Sequence, residues 1–307
     1  MPSKIGRRDA CTERGARASA FSSVCSGDSF KSRFEKYSSA AGRTLLFELG
    51  ARKAPIRSSM PNSPSHPTAA ILLAAGRSTR MAGASGGDAS PRKPFLVLEG
   101  MTVLERSCDA FDRAASVVEI VIVAHEDDVA RVRDMARSSP SMKKVRAVVP
   151  GGEQRTDSVR CGVSAASPSS TIVAIHDVAR PLVEPAAIER AIAAAARTGA
   201  ALLAVPATDT IKISADGERA ETTLDRGALW CAQTPQVFAL AKFVELLARA
   251  AQDDFRPTDD AALYEKYAGG VALVRGDRHN IKLTTPDDLV IAAAILRARA
   301  APGAAKR

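Results

Sequence analysis

The chain has no apolar run of the roughly 18–20 residues that a membrane helix needs. The longest candidates, at 191–196 and 291–296, are alanine-rich and bounded by arginine. A multi-span membrane protein is excluded. Cysteine is sparse: Cys11, Cys25, Cys108, Cys161 and Cys231 make an odd set of five with no C-x-x-C spacing. Neither a zinc site nor a disulfide framework is expected, and a reducing compartment fits best. No H-E-x-x-H, Ser-His-Asp series or Cys-His pair is present, and no paired carboxylates stand out for sugar hydrolysis. Neither G-x-G-x-x-G nor the Walker pattern occurs. Internal repeats are absent too.

What is present looks at first like a nucleic-acid binder, with a net charge of +9 over 307 residues. The excess is local. Residues 1–59 hold 12 Lys/Arg against 5 Asp/Glu, and the rest of the chain is close to balanced. The basicity belongs to a leader, so no nucleic-acid partner is expected of the folded part. That leader has 11 serines and ends in the linker-like stretch Pro61-Asn62-Ser63-Pro64-Ser65-His66-Pro67. Three readings fit residues 1–68: an extension upstream of a true start at Met60, a disordered tail, or an organelle transit peptide. Asp9, Glu13, Asp28, Glu35 and Glu48 count against the last. Location is accordingly cytoplasmic, or organelle stroma if residues 1–59 are a transit peptide.

From residue 69 the pattern changes to one α/β domain, expected over 69–300 with a tail at 301–307. Short apolar runs at 69–75, 119–124, 145–149, 171–176 and 200–205 read as buried strands. Helical spacing at 103–114, 127–137, 154–166 and 185–197 separates them. Such alternation gives a mostly parallel sheet with helices on both faces. The rhythm then breaks. Residues 208–213 and 220–224, around Asp216-Gly217, read as a β-hairpin. An isolated ribbon is marginal in water, so this arm, about 207–230, is expected to pack on a second subunit. Helices at 240–251 and 258–267, a strand at 271–275 and a helix at 286–299 close the domain.

In such sheets ligands sit beyond the carboxyl ends of the strands. The loop Ala74-Ala75-Gly76-Arg77-Ser78-Thr79-Arg80 follows the first strand, with Lys93 further on. Small residues there let backbone amides approach a ligand, and the cations suit a polyphosphate; an ordinary turn with surface cations reads equally from the loop alone. Gly151-Gly152-Glu153-Gln154-Arg155-Thr156-Asp157-Ser158 follows the third strand and offers amides and a hydroxyl to a flat ligand edge. His176-Asp177-Val178-Ala179-Arg180 follows the fourth. Asp177 is a natural magnesium ligand beside phosphates. His176 reads as structural, and Arg180 either binds phosphate or pairs with Asp177. Lys282 supplies a late cation. Taken together, the implied chemistry is electrostatic: Lys, Arg and a metal acting on a polyphosphate.

The ordered series LLAAGRSTRM, Lys93, GGEQRTDSV, HDVARP, Asp209-Thr210, Asp225-Arg226, QTPQ, TDDA and NIKLTTPDDL resembles the 2-C-methyl-D-erythritol 4-phosphate cytidylyltransferase family of the non-mevalonate isoprenoid route. The resemblance implies a Rossmann-like nucleotidyltransferase domain that uses Mg2+ to join CTP and methylerythritol phosphate. It implies nucleotide contacts at Ala74, Ala75, Gly76, Gly152, Glu153 and Ser158. Arg80, Lys93 and Lys282 are implied as the catalytic cations, and Asp177 as the carboxylate near metal and substrate. The polyol phosphate falls to Arg180 and Thr234, and to Thr210 and Arg226 on an arm that reaches the neighbouring subunit of a homodimer. Departures are also evident. Residues 82–90 lengthen the loop between Arg80 and Lys93, and Arg92 is an alternative cation for the place of Lys93. Pro94, Val178 and Ser78 replace residues common in the family. Other readings stay open: a cytidylyltransferase for another polyol phosphate such as ribitol 5-phosphate, or a non-catalytic nucleotide-binding regulator.

Overall fold

The computed structural model describes residues 66–76 and 92–301. The expected leader and its junction at Met60, the lengthened loop with Arg80, and residues 302–307 lie outside the described residues.

In chain order, β1 (Thr68–Ala74) is followed by the short strands β2 (Val97–Leu98) and β3 (Met101–Thr102), then α1 (Val103–Asp112) and β4 (Val117–Ala124). Next come α2 (Val129–Ser138), β5 (Val145–Pro150), α3 (Arg155–Ala165), β6 (Ile172–Asp177), α4 (Pro185–Thr198) and β7 (Ala200–Pro206). The ribbon strands β8 (Lys212–Ile213) and β9 (Thr222–Thr223) precede the long β10 (Trp230–Ala239). The helices α5 (Leu240–Gln252) and α6 (Asp260–Ala268), the strand β11 (Ala272–Arg275) and α7 (Pro286–Ala300) complete the order.

The main sheet has seven strands in the order β11-β7-β10-β6-β1-β4-β5. β1 pairs parallel with β4 and β6, β4 with β5, and β7 with β11. Only β10 runs antiparallel, between β6 and β7. The mostly parallel α/β expectation holds, but β10 was not expected.

Both faces are covered, which is why β1 reads as an unbroken apolar run. Ala70 and Leu72 share a buried cluster with Leu104, Cys108 and Phe111 of α1 and Ile188 and Ile192 of α4. Ile71 and Val123 point the other way, where α3 lies so close that a Cβ on Gly162 would meet both side chains. On that same sheet Phe238 of β10 stacks on Phe243 of α5, with ring centroids 4.4 Å apart.

Local signals set the helix ends. Thr102 and Glu105 form a reciprocal capping box on α1. Pro185 opens α4, and Gly199 closes it in the left-handed region at φ 85°. The ribbon of β8 and β9 is shorter than its expected span, pairing only Lys212 with Thr223 and Ile213 with Thr222. Of the cysteines, Cys108 and Cys231 are free thiols.

Candidate active site

The informative loops converge at the carboxyl ends of the parallel strands. β1 runs out through Ala74 into Ala75 and Gly76. After β5, the Gly151 N–H donates to the Ala124 carbonyl at 2.8 Å, tying the loop to the end of β4. A Cβ on Gly151 would lie 2.5 Å from the Ala75 Cβ and 2.8 Å from Ser158 Oγ. Glycine is therefore needed where the first loop, the double glycine and the start of α3 meet. The Gly152 N–H donates to Ser158 Oγ at 3.2 Å, closing the loop onto the helix. Ala75, Gly152 and Ser158 thus come together as the sequence suggested, and Glu153 is exposed beside them.

Asp177 ends β6 at the middle of this edge, its side chain 14% exposed. Lys282 Nζ donates to Asp177 Oδ2 at 2.7 Å. Arg155, the first residue of α3, approaches Asp177 Oδ1 at 3.4 Å and bonds Asp260 Oδ2 at 2.8 Å. Burial alone would raise the Asp177 carboxyl, but Arg155 and Lys282 overcome it and hold it at about 2. Burial also works against the Arg155 charge, which Asp260 and Asp177 nonetheless push up. The result is an alternating series: Asp260, Arg155, Asp177, Lys282.

Beneath it, His176 is fully buried. Burial lowers its pKa to about 4, so the ring is neutral at pH 7. Its Nε2 lies 3.1 Å from the Arg180 carbonyl and its Nδ1 2.9 Å from Thr234 Oγ1. A neutral ring serves both contacts when Nε2–H donates to the carbonyl and Nδ1 accepts from the hydroxyl. Thr234 Oγ1 in turn accepts the Asp177 N–H at 3.1 Å. His176 is thus structural, and it fixes the Thr234 hydroxyl and the backbone of Asp177.

The Arg180 guanidinium is held by backbone carbonyls rather than by the Asp177 carboxylate. Its Nη1 and Nη2 donate to the carbonyls of Asn280, at 2.8 Å, and Ala232, at 3.2 Å. Asn280 also donates to the Thr234 carbonyl at 3.1 Å. The guanidinium therefore bridges the loop after β6, β10 and the loop after β11.

Lys93 lies in a short 3-10 turn and donates to the Leu283 carbonyl at 2.6 Å. Leu283 in turn donates its N–H to Ala179 at 2.8 Å. Lys93 and Lys282 are thus fastened to one and the same loop. Arg92 instead pairs with Asp127 at 2.9 Å and Asp128 at 2.7 Å, toward the start of α2. That arrangement separates it from the place of Lys93. Thr210 and Arg226 lie exposed at the arm, where Arg226 donates to the Thr208 carbonyl at 2.8 Å. Among the described residues, neither bonds to the sheet edge. Arg80 lies outside the described residues.

The sequence motifs contain Arg155 and Asp260 but assign these residues no role. Sequence reasoning likewise missed Gln236, which donates to Asp259 at 2.7 Å and accepts from the Ala261 N–H at 2.9 Å, fixing the start of α6. No group of three or more His, Cys, Asp or Glu that could hold a metal occurs among the described residues. No helix among them is long and apolar enough to cross a membrane.

Comparison with known proteins agrees with this architecture. Residues 68–298 match the family IspD: 2-C-methyl-D-erythritol 4-phosphate cytidylyltransferase. A curated protein of that name from Syntrophotalea carbinolica is 41% identical over 227 residues, covering 74% of this chain and 94% of the relative. Its namesake from Syntrophus aciditrophicus is 40% identical over 229 residues, covering 74% and 95%. The crystal structure of 2-C-methyl-D-erythritol 4-phosphate cytidylyltransferase from Thermus thermophilus superposes with a TM-score of 0.60 at 31% identity, covering 74% of this chain and 98% of that one. That of 4-diphosphocytidyl-2C-methyl-D-erythritol synthase from Anaerococcus prevotii gives 0.65 at 28% identity, covering 76% and 99%. With its sheet order, its strand-end loops and these matches in agreement, the chain belongs to the 2-C-methyl-D-erythritol 4-phosphate cytidylyltransferase family.

Proposed function

We propose that the chain transfers CMP from CTP to 2-C-methyl-D-erythritol 4-phosphate, releasing pyrophosphate. The observation that carries this reading is the convergence of Lys93, Lys282 and Asp177 beside the Gly151-Gly152 loop at the sheet edge. A phosphate monoester has a second pKa of about 6 and is largely dianionic at neutral pH. It attacks the α-phosphorus of CTP without a general base, which suits a site whose one buried imidazole is neutral and spent on Thr234. The obstacle is repulsion between two polyanions, and preorganised cations lower it.

In this reading the backbone of Ala74, Ala75 and Gly76 wraps the nucleotide. Gly152, Glu153 and Ser158 read the base. Arg80 and Lys93 hold the triphosphate, and Lys282 moves from Asp177 to a phosphate oxygen. Thr234 and Arg180 line the polyol side. Thr210 and Arg226 would complete the neighbouring subunit's site in a homodimer, and the exposed Ile211 and Ile213 of the arm support burial against a second copy.

The single carboxylate of Asp177 fits a magnesium ion that draws most of its ligands from phosphates and water. Bound there, the ion would neutralise phosphate charge during transfer. A cytoplasmic location suits the reaction.

Label at the CTP α-phosphate tests the reaction. It should appear in the diphosphocytidyl product while the other two phosphates leave together. Label that stays in free CMP would mean hydrolysis and would contradict transfer.

A further inference from the structure

The mechanism above uses Asp177 and Lys282, but the residue that joins them to the nucleotide loop is Arg155. Its backbone opens α3, three residues beyond Gly152. Its guanidinium reaches across the sheet edge to Asp177, 22 residues on, and to Asp260, 105 residues on.

The two carboxylates are not equivalent. Asp260 is buried at 3% exposure, in the first turn of α6. That turn is held rigidly, because Asp259 caps it and Gln236 bonds both Asp259 and the Ala261 N–H. Asp260 therefore anchors the guanidinium, at 2.8 Å. The contacts to Asp177 are looser, 3.4 Å from both Nε and Nη2. Lys282 holds the other oxygen of Asp177 more tightly, at 2.7 Å.

A lysine that moves to a phosphate leaves Asp177 behind. Its carboxylate then needs a second fixed cation to stay oriented at a mostly buried edge. A planar guanidinium pinned by a rigid partner supplies that, whereas a flexible ammonium does not. The base-reading loop and the reacting edge also become mechanically linked, since one side chain belongs to both.

We propose that Arg155, anchored by Asp260, is a positioning residue that sets the Asp177 carboxylate for the transfer and couples it to the nucleotide loop. This rests on the reaction proposed above. Arg155 acts through Asp177 and needs no contact with substrate.

A double-mutant cycle tests it, using Arg155→Gln, Asp177→Asn and the pair in the full-length protein. Arg155→Gln should lower kcat on the order of ten- to a hundredfold, the scale of a small misplacement, and change the KM for CTP only a few-fold. In the Asp177→Asn background the same change should lose most of its effect. Arg155→Lys, which keeps the charge without the fork, should recover only part. If Asp260 is left buried without its partner and the fold suffers, Arg155→Gln with Asp260→Asn removes both charges and keeps the shapes. This variant should melt near wild type and still show the kcat loss. Equal, multiplicative losses in both backgrounds would overturn the proposal, as would wild-type kcat in folded Arg155→Gln. The same cycle read in CTP dissociation constants needs no turnover. Coupling there should persist even if wild type transferred no CMP, an outcome that would sink the reaction and not the clamp; additive binding losses would sink the clamp.

Discussion

Lys282 Nζ sits 2.7 Å from Asp177 Oδ2, although 105 residues separate the two in sequence. The pair joins the loop after β11 to the end of β6. In the proposed transfer it must open, since Lys282 exchanges Asp177 for a phosphate. Lys282→Ala should therefore leave the fold intact and lower turnover on the order of a hundredfold or more. Steady-state kinetics beside a melting curve check this. Turnover within about threefold of wild type would remove Lys282 from a mechanism in which it stabilises the transferring charge.

The neighbouring cations should separate cleanly. Lys93→Ala is expected to cut turnover by orders of magnitude. Arg92→Ala should reduce it only a few-fold, because Arg92 is held by Asp127 and Asp128, and partly exposed pairs of this kind contribute about 1 kcal/mol or less. Parallel kinetics on both variants decide the matter. A large loss in Arg92→Ala would give the role to Arg92.

Gly151→Ala should weaken CTP binding on the order of tenfold or more, since the added Cβ would press on Ala75 and Ser158. The KM for CTP measures it, and an unchanged value would show that the loop yields without consequence.

Acid should destabilise the fold in two stages. His176 is depressed to about 4, so the unfolded chain binds its proton first. Its contribution is complete above the ordinary histidine pKa of about 6.5 and fades as pH falls toward 4. Asp177, depressed to about 2, contributes above the ordinary carboxylate pKa and loses that contribution between about pH 4 and 2. Denaturant midpoints from about pH 7 to 4.5 should fall for wild type and fall less for His176→Gln. Identical slopes would contradict a buried neutral His176.

Subunit mixing tests the arm. Lys282→Ala and Arg226→Ala chains, each impaired alone, should regain about a quarter of wild-type activity when mixed if each site draws on both subunits of a two-fold dimer. No recovery after proven exchange would confine Arg226 to its own chain.

The parallel strands and their helices were legible because short unbroken apolar runs alternate with segments of helical spacing. β10 was not. Its polar Gln233-Thr234-Pro235-Gln236 core has no alternation, and proline argues against a central strand. The structure accommodates Pro235 where the register with β7 is broken, between Ala232 and Gln236, and pairing with β6 starts only at Gln236. The site was legible as strand-end loops, since glycines and cations cluster there. The role of Arg155 was hidden because its partners lie on other elements, as were the contacts of Arg180 to two backbone carbonyls.

The central claim is transfer of CMP to methylerythritol phosphate. Pyrophosphate release with CTP and magnesium, offering methylerythritol phosphate and ribitol 5-phosphate separately, tests it most directly. Release with methylerythritol phosphate and little with ribitol 5-phosphate is the expected result. Release with ribitol 5-phosphate alone, or with neither substrate in folded protein that binds CTP, would contradict it.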